Sequence, residues 1–203
     1  MTATDEPAVA DVSTGDTASR ILDVAERLVQ TRGFNGFSYA DVAAELGVTK
    51  AALHYHFASK AELGEALVRR YAERFSRGLN DVDARRIDAP AKLDAYARIY
   101  ADVLRDGRMC LCGMLAAEYR TLPDPMRDAV VGFFEDNEAW LAEVLERGKA
   151  DGQLRFDGSA HEVAEAIVSG LEGAMLVAHP HDDVTRFELA AARLLEGLTA
   201  TGS

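Results

Sequence analysis

Apolar residues recur at helical spacing along nearly all of this chain, and that pattern constrains its fold more than any other feature. One face of an amphipathic helix is formed near the start by residues spaced i, i+1, i+4, i+7 and i+8, namely Ile21, Leu22, Ala25, Leu28 and Val29. The sequence has no sustained run of alternating β-branched residues that would indicate strands. We therefore predict an all-α fold of about nine helices.

Two short helices joined by a glycine turn are predicted after this first helix. Ser38 and Asp41 form a pair that resembles a capping box at the start of the first short helix, which ends at Gly47. Thr49 is then a natural N-cap for the second, over Lys50–His56. Short helices in this arrangement are typical of a helix-turn-helix motif.

Polar and proline-containing breaks divide the rest of the chain into further helices. Ser59 caps a long helix that runs towards Leu79, and a polar stretch over residues 81–91 follows it. Later helices are predicted near Lys92–Arg105, Met109–Thr121, Pro125–Asp151, Ser159–Ala178 and Asp182–Leu198. Residues 1–16 contain few large apolar side chains and are predicted to be a disordered tail.

Composition and charge argue against several classes of protein. No apolar run approaches the roughly 20 residues needed to span a bilayer, and the acidic N-terminus lacks the basic and apolar regions of a secretory signal. The net charge of −12 argues against a general nucleic-acid coat protein, although residues 17–72 are nearly neutral. The two cysteines fit a reducing cytosol, so we expect a cytoplasmic protein with no membrane partner.

A set of sequence blocks in the first third of the chain occurs in a fixed order: Ile21–Glu26, Arg32–Phe34, Ala40–Ala43, Leu46–Phe57 and Ser59–Leu63. Together they resemble the N-terminal DNA-binding domain of the TetR/AcrR family of bacterial transcriptional regulators. The resemblance implies a three-helix helix-turn-helix DNA-binding domain over residues 17–62 and a helical ligand-binding and dimerisation domain over residues 63–203. The chain departs from the family at His54, where the family usually has tyrosine, but an imidazole can still donate to a phosphate.

The resemblance also implies which residues contact double-stranded DNA. The start of the recognition helix lies nearest the base edges, and its residues are Thr49, Lys50, Ala51 and Ala52. Lys50 can donate to guanine, whereas the alanines offer only methyl contacts, for instance to thymine. Phosphate contacts are expected at Ser38, Tyr39, His54, Tyr55 and Lys60. For Tyr55, packing between helices is the alternative, and for Lys60 the alternative is a solvated surface charge.

Cys110 and Cys112 have a spacing that, on a helix, favours neither a mutual disulfide nor a zinc site. The simplest interpretation is that they are small hydrophobic residues of the core. Alternatively, they are a redox sensor in which Cys110 has a low pKa, because it lies in the first turn of its helix near Arg105 and Arg108. This stretch also resembles an electrophile- and oxidant-sensing branch of the family.

The family resemblance implies a ligand pocket in the C-terminal part of the chain. Large, soft or polar side chains there are its candidate lining, namely Tyr96, Tyr100, Met109, Cys110, Met114, Glu118, Phe133, Phe134, Asn137, Trp140 and Met175. Of these, Glu118 and Asn137 are the polar groups best able to orient a ligand. Core packing is the alternative for each of the apolar residues. No cofactor is expected.

The last two predicted helices are candidates for a homodimer interface, as in the family. The residues expected there are Val163, Ile167, Gly170, Leu171, Ala174, Leu189, Ala192 and Leu195. A two-fold dimer presents two recognition helices and therefore expects a palindromic operator. The stretch His179–Asp183 has metal-ligating residue types, but it lies at a turn between helices, and we predict no metal site.

These observations predict a DNA-binding transcriptional regulator that responds to a ligand. Its most favoured form is a homodimeric repressor that binds an inverted-repeat operator and is released by a small apolar or electrophilic effector. A ligand-independent DNA-binding activator or architectural protein is the alternative. An enzyme with Cys110 as nucleophile is a remote alternative, since no histidine lies near Cys110 in the sequence and no phosphate loop or dinucleotide motif is present.

Overall fold

Nine α-helices make up most of residues 14–199, the part of the chain described by this computed structural model. They are α1 (Thr14–Arg32), α2 (Tyr39–Leu46), α3 (Lys50–His56), α4 (Lys60–Ala84), α5 (Ala89–Arg105), α6 (Leu111–Ala117), α7 (Asp124–Ala150), α8 (Ala160–Ala178) and α9 (Val184–Glu196). Short 3-10 turns at Tyr119–Thr121 and His179–His181 follow α6 and α8. Among these residues, extended pairing is limited to one bridge between Leu154 and Thr199. The predicted all-α fold is confirmed.

The ends of two early helices differ from the prediction. Residues 1–13 of the predicted tail lie outside the described residues, but Thr14–Asp16 belong to α1. Helix α4 continues through the start of the predicted polar break to Ala84, because Val82 remains on its buried face. The polar residues of this stretch are the exposed face of the same helix, so the break starts later than the sequence suggests.

Two helices of the C-terminal part also have different bounds from those predicted. Helix α5 begins at Ala89, with Asp88 as its N-cap and proline in its first turn, a position where proline is favoured. Helix α6 is much shorter than the predicted Met109–Thr121, because Cys110 is its N-cap and a 3-10 turn replaces its last residues. Cys110 therefore precedes the helix instead of lying in its first turn.

Local signals define the short helices around the predicted helix-turn-helix. Gly47 ends α2 with φ of 67°, a left-handed conformation that glycine adopts without steric cost. The hydroxyl of Thr49 caps α3 by accepting a hydrogen bond from the Ala52 amide over 3.2 Å. The hydroxyl of Ser59 caps α4 in the same way, accepting from the Glu62 amide over 3.1 Å. These caps place α2 and α3 as two short helices with only three residues between them.

The N-terminal helices pack around an apolar centre. Ile21 and Leu28 of α1, Val42 of α2, Leu53 of α3 and Leu63 of α4 are all at most 1% exposed. Such burial stabilises each side chain by about 1.5–3 kcal/mol relative to an exposed position. Leu53 is the one fully buried residue of α3, so it determines which face of that short helix points outwards.

The C-terminal part is a bundle in which α8 packs against both α7 and α9, and α5 packs against α7, α8 and α9. Helix α4 contacts α1 at one end of the molecule and α5 and α7 in the bundle, so it connects the two parts. Helix α6 likewise contacts both α1 and α7. Within residues 14–199, none of the helices is both long enough and apolar enough to cross a membrane.

Candidate nucleic-acid interface

Helix α3 presents an exposed face made of residues predicted to contact DNA. With Leu53 turned inwards, Lys50, Ala51, His54 and Tyr55 are exposed. The Tyr55 side chain is 77% exposed and touches only the edge of the His56 ring among the described aromatic rings. The alternative that Tyr55 packs between helices is therefore wrong. A cation, a methyl group, an imidazole and a phenol share this short surface.

The polar groups at the start of α3 differ in how many of their hydrogen-bond donors are free for an outside acceptor. Lys50 is exposed and has no ion pair among the described residues, so its ammonium is available for an outside acceptor. The Thr49 oxygen accepts from the Ala52 amide, which leaves its hydroxyl proton for another acceptor. Ala52 is only partly exposed, so Ala51 is the more accessible of the two methyl groups.

Ser38, at the start of α2, is occupied by an internal partner. Its backbone amide and its hydroxyl both donate to one oxygen of Asp41, over 2.7 Å and 2.6 Å. These hydrogen bonds lower the pKa of Asp41, so the carboxylate remains ionised. A phosphate at the predicted Ser38 contact would therefore compete with the Asp41 carboxylate for the same two donors.

Tyr39 and His54 form a pair that joins α2 to the turn after α3. The Tyr39 hydroxyl donates to the Phe57 carbonyl over 2.9 Å, and burial, with the charge of Glu62, raises its pKa to about 12. The Tyr39 ring lies 4.8 Å from the His54 ring, and His54 Nδ1 is 3.1 Å from the Ala58 carbonyl. Nδ1 is therefore engaged inside the protein, and Nε2 is the ring nitrogen left for an outside partner.

Lys60, at the start of α4, is half-buried against the turn between α1 and α2. Its ammonium donates to the carbonyls of Phe34 and Phe37 and lies 4.5 Å and 4.3 Å from the centres of their rings. Burial is the largest influence on its pKa, which is lowered. The alternative that Lys60 is a plain solvated charge is therefore wrong, because two of its three donors are used inside the protein.

Predicted pocket residues of the C-terminal part form a buried polar chain. The hydroxyls of Tyr96 and Tyr100 are 3.2 Å apart, and the Tyr96 hydroxyl donates to Asn137 Oδ1 over 3.2 Å. Asn137 donates in turn to the Phe133 carbonyl over 2.6 Å, and the Trp140 ring stacks on Tyr96. Asn137 also lines a cleft of about 370 Å³ between α4 and α7.

The remaining predicted pocket residues are distributed over several places. Met109, Cys110 and Met175 are buried together, with the Cys110 amide donating to the Met175 sulfur over 3.2 Å. Met114 and Phe134 are partly buried against the core. Glu118 makes no hydrogen bond to the buried polar chain. Its carboxylate instead accepts hydrogen bonds from the backbone amides of Phe34 and Asn35 in the N-terminal part. Its predicted ligand-orienting position is therefore corrected.

The two cysteines are free thiols in the core. Burial, together with the nearby Glu172 carboxylate, raises the pKa of Cys110 well above its ordinary value, and the same two causes raise that of Cys112. Of the two arginines expected to lower the pKa of Cys110, Arg105 is on the surface, paired with Asp102 and Glu188, and neither it nor Arg108 is among the influences on that pKa. The predicted low-pKa sensor thiol is contradicted, and the interpretation as core residues fits both positions.

Residues predicted for a dimer interface divide into inward and outward groups. Ile167, Leu171 and Leu195 are buried inside the protomer, and Gly170 is in close contact with Leu194 across α8 and α9. Val163 and Ala174 are partly buried, whereas Leu189 and Ala192 are exposed. The correction is that Ile167, Leu171 and Leu195 are core residues of the protomer and are not available to a second copy.

Sequence reasoning missed several residues that the structure brings forward. Leu176 and Val177 of α8 are 63% and 55% exposed, and Leu189 of α9 is 65% exposed. The sequence could have indicated them, because each is an apolar residue that lies outside the buried apolar face of its own helix. Glu172 is partly buried, with its Oε1 atom shielded from solvent, and its signal was an acid within the apolar run Ile167–Ala178 of α8.

Two family descriptions match the chain. Residues 21–67 match bacterial regulatory proteins of the tetR family, and residues 89–194 match a tetracyclin repressor-like C-terminal domain. The transcriptional regulator AcuR of Cereibacter sphaeroides is 31% identical over 149 residues, which cover 71% of this chain and 68% of AcuR. The repressor NemR of Escherichia coli K12 is 27% identical over 169 residues, covering 80% of this chain and 84% of NemR.

Solved structures give the same result. A TetR-family regulator from Agrobacterium tumefaciens is 34% identical, with a TM-score of 0.89 over 93% of this chain and 100% of that one. The relatives are transcriptional regulators and not enzymes, which agrees with the prediction of no enzymatic activity. With both of its parts matched, the chain belongs to the TetR family of bacterial DNA-binding transcriptional regulators.

Proposed function

We propose that this protein is a homodimeric repressor that binds an inverted-repeat operator through α3 and is released by a small-molecule effector. It acts on DNA in the bacterial cytoplasm. The observation that carries the proposal is the exposed face of α3, where Lys50, Ala51, His54 and Tyr55 have few or no internal partners. Repression is supported by relatives that are themselves named repressors, NemR and DhaR.

On DNA, the exposed face of α3 supplies different kinds of contact. Lys50 donates to guanine in the major groove, and Ala51 offers a methyl contact, for instance to thymine. Tyr55 and His54 donate to phosphates. Thr49 keeps its hydroxyl proton for an outside acceptor. Ser38, Tyr39 and Lys60 hold internal hydrogen bonds, so a phosphate would have to share or displace these partners.

Dimerisation is supported by the exposed apolar residues of α8 and α9. Leu176, Val177 and Leu189 are each more than half exposed in the isolated chain, so both helices offer apolar surface to a second copy. A second copy covering this face by a two-fold axis would place two α3 helices for two operator half-sites. Leu189→Glu should therefore give a monomer in sedimentation experiments, and loss of operator binding with it.

The proposed effector is small and has both apolar and polar groups. The cleft between α4 and α7 is lined by aromatic residues such as Phe75, Phe133 and Trp140, and also by polar residues, namely Ser76, Asn80, Asp136, Asn137 and Glu143. An electrophilic effector acting on the thiols receives less support, because both cysteines are buried and the pKa of each is raised. The effector's preference for one conformation sets the largest change in DNA affinity that it can cause.

The test is selection of random duplex DNA by the purified, reduced protein, followed by binding measurements on the selected sequence. We expect an inverted repeat, and we expect Lys50→Ala to weaken binding to it about tenfold or more. Arg147→Ala is the matched control, because it also removes one exposed positive charge but lies on α7, paired with Glu143. Equal binding by both variants, or no enriched repeat from a folded dimer, would contradict the proposal.

A further inference from the structure

The turn between α1 and α2 is held from opposite sides by two charged residues from other parts of the chain. From these contacts we infer that Glu118 is a positioning residue for DNA binding: from the end of α6, it fixes the turn that leads into α2 and α3. This inference rests on the DNA-binding function proposed above, and it assigns to Glu118 a task outside any effector pocket.

On the amide side of the turn, Glu118 occupies a backbone anion site. Gly33 has φ of 79°, and the next two amides, of Phe34 and Asn35, donate to the two oxygens of Glu118 over 2.5 Å and 3.1 Å. Successive amides next to a left-handed residue form a concave site that suits an anion. A Cβ atom at Gly33 would also lie only 3.0 Å from the carboxylate. Glycine therefore allows this contact both by its backbone conformation and by its lack of a side chain.

A second residue of the same segment supports the contact. The Asn35 side-chain amide donates to the Thr121 hydroxyl over 2.7 Å, and that hydroxyl donates to the Glu118 carbonyl over 2.8 Å. The 3-10 turn after α6 is thus tied to the same turn that its neighbour Glu118 holds. Three hydrogen bonds therefore join the end of α6 to residues 34–35.

On the carbonyl side of the turn, Lys60 makes the complementary contact. Its ammonium donates to the carbonyls of Phe34 and Phe37, while Glu118 takes the Phe34 amide. Hydrogen bonds to charged groups contribute more than neutral ones, so Phe34 is held at both polar groups of its backbone. Ser38 and α2 follow directly, and the position of α2 sets that of α3 through the close turn at Gly47.

Helix α6 gives this contact a rigid support. Leu111, Cys112 and Leu115 are fully buried, and just before the helix the Met109 amide donates to the Gln30 carbonyl of α1 over 3.2 Å. Glu118 therefore projects from an element that the core holds in place. Without the Glu118 carboxylate, the turn keeps its hydrogen bonds to Lys60 but loses those that fix its position relative to α6.

The test compares Glu118→Ala and Glu118→Gln with the wild type, using amide exchange by NMR and binding to duplex DNA. We expect Glu118→Ala to speed exchange at Phe34 and Asn35 about tenfold or more and to weaken binding to the selected operator about tenfold, since each corresponds to loss of a charged hydrogen-bonded contact. Glu118→Gln, which keeps one acceptor oxygen, should lie between. Melting temperature, measured alongside, identifies any variant that fails to fold, and Glu118→Gln then carries the test.

Glu65→Ala is the matched control, because it removes one exposed acid from α4 whose side chain has no hydrogen bond or ion pair with another described residue. Loss of an acid alone should leave DNA affinity unchanged or raise it, since phosphates repel carboxylates. A fall in affinity for Glu118→Ala therefore identifies positioning. Unchanged exchange at Phe34 and Asn35, or faster exchange with affinity equal to that of Glu65→Ala, overturns the inference. If wild type binds no duplex DNA, the proposed function fails, while the exchange experiment still decides whether Glu118 holds the turn.

Discussion

Two glutamates lie between packed helices in opposite electrostatic settings: Glu26 is buried between α1 and α4, and the partly buried Glu172 of α8 has its carboxylate against Gly113 of α6. Between α1 and α4, Glu26 has a side chain only 7% exposed and accepts hydrogen bonds from Arg70 over 3.0 Å and Arg74 over 3.1 Å. At the α6–α8 contact, Glu172 has no arginine or lysine in an ion pair with it among the described residues, and one of its oxygens has no hydrogen-bond partner there.

The difference shows that a glutamate between two helices stabilises their contact when it is paired and destabilises it when it is not. Glu26 is compensated, and its hydrogen bond is the largest cause of the raised pKa of Arg74. Glu172 is uncompensated, and burial raises its pKa to about 7, against a hydrogen bond from Cys110 that lowers it. The paired carboxylate holds α1 on α4 while ionised, whereas the unpaired one destabilises the folded protein when ionised.

Removing the paired carboxylate should have the largest effect. Glu26→Ala leaves Arg70 and Arg74 without their shared partner, and we expect it to lower the free energy of unfolding by about 3 kcal/mol at neutral pH. We take the lower end of the usual range because Arg74 is half-exposed. Urea denaturation followed by circular dichroism measures the change.

The control for Glu26→Ala is Glu45→Ala, which breaks the surface ion pair with Arg27. Exposed pairs of this kind contribute about 0–1 kcal/mol, so this variant should unfold close to the wild type. Equal destabilisation by the two variants would mean that the α1–α4 contact does not depend on its buried carboxylate.

Neutralising the unpaired carboxylate should have the opposite sign and depend on pH. The folded-state pKa of Glu172 is raised from 4.5 to about 7, so its favourable contribution is present below pH 4.5 and is lost as pH rises through 7. Glu172→Gln removes this loss, and we expect it to stabilise the protein by about 2 kcal/mol at pH 8 and to change little at pH 4.5. Thermal unfolding of both proteins across this range provides the comparison, and parallel curves for the two would refute it.

Removing one hydroxyl from the buried polar chain should have the smallest effect of the three. Tyr100→Phe deletes the hydrogen bond to the Tyr96 hydroxyl while leaving the ring in place, so we expect a loss of about 1 kcal/mol in the free energy of unfolding. Tyr119→Phe, on a side chain 38% exposed, is the control and should change stability by less. A gain in stability for Tyr100→Phe would show that the chain of hydroxyls, like Glu172, carries an unmet polar group.

The helices around Gly47 could be predicted closely because their signals are local. The predicted bounds of α3, Lys50–His56, agree with the structure, since the glycine and Thr49 lie next to the residues that they define. The end of α4 could not be placed in this way. Its last turns expose polar side chains while Val82 remains buried, and sequence alone does not show which face meets the core.

The site residues were predictable in position but not in their hydrogen bonds. A family pattern places Ser38 and Lys60 near the DNA-binding surface, but their partners, Asp41 and the carbonyls of Phe34 and Phe37, depend on the fold. Glu118 is the extreme case, because the amides that it binds lie more than 80 residues away in the sequence. An apolar stripe likewise predicted the α8 and α9 interface without separating residues that face inwards from those that face outwards.

The shortness of α3 has a consequence for the entropy of binding. Its seven residues are fewer than the about 12–15 that a helix needs to be stable alone in water, so its order comes from packing at Leu53 and from the Thr49 cap. Fixing the backbone of one residue costs about 1–2 kcal/mol in conformational entropy. Because α3 is already ordered in the folded protein, DNA binding does not have to include that cost. Under the proposed function, DNA affinity therefore depends partly on Leu53, a side chain with no exposed surface for DNA to touch.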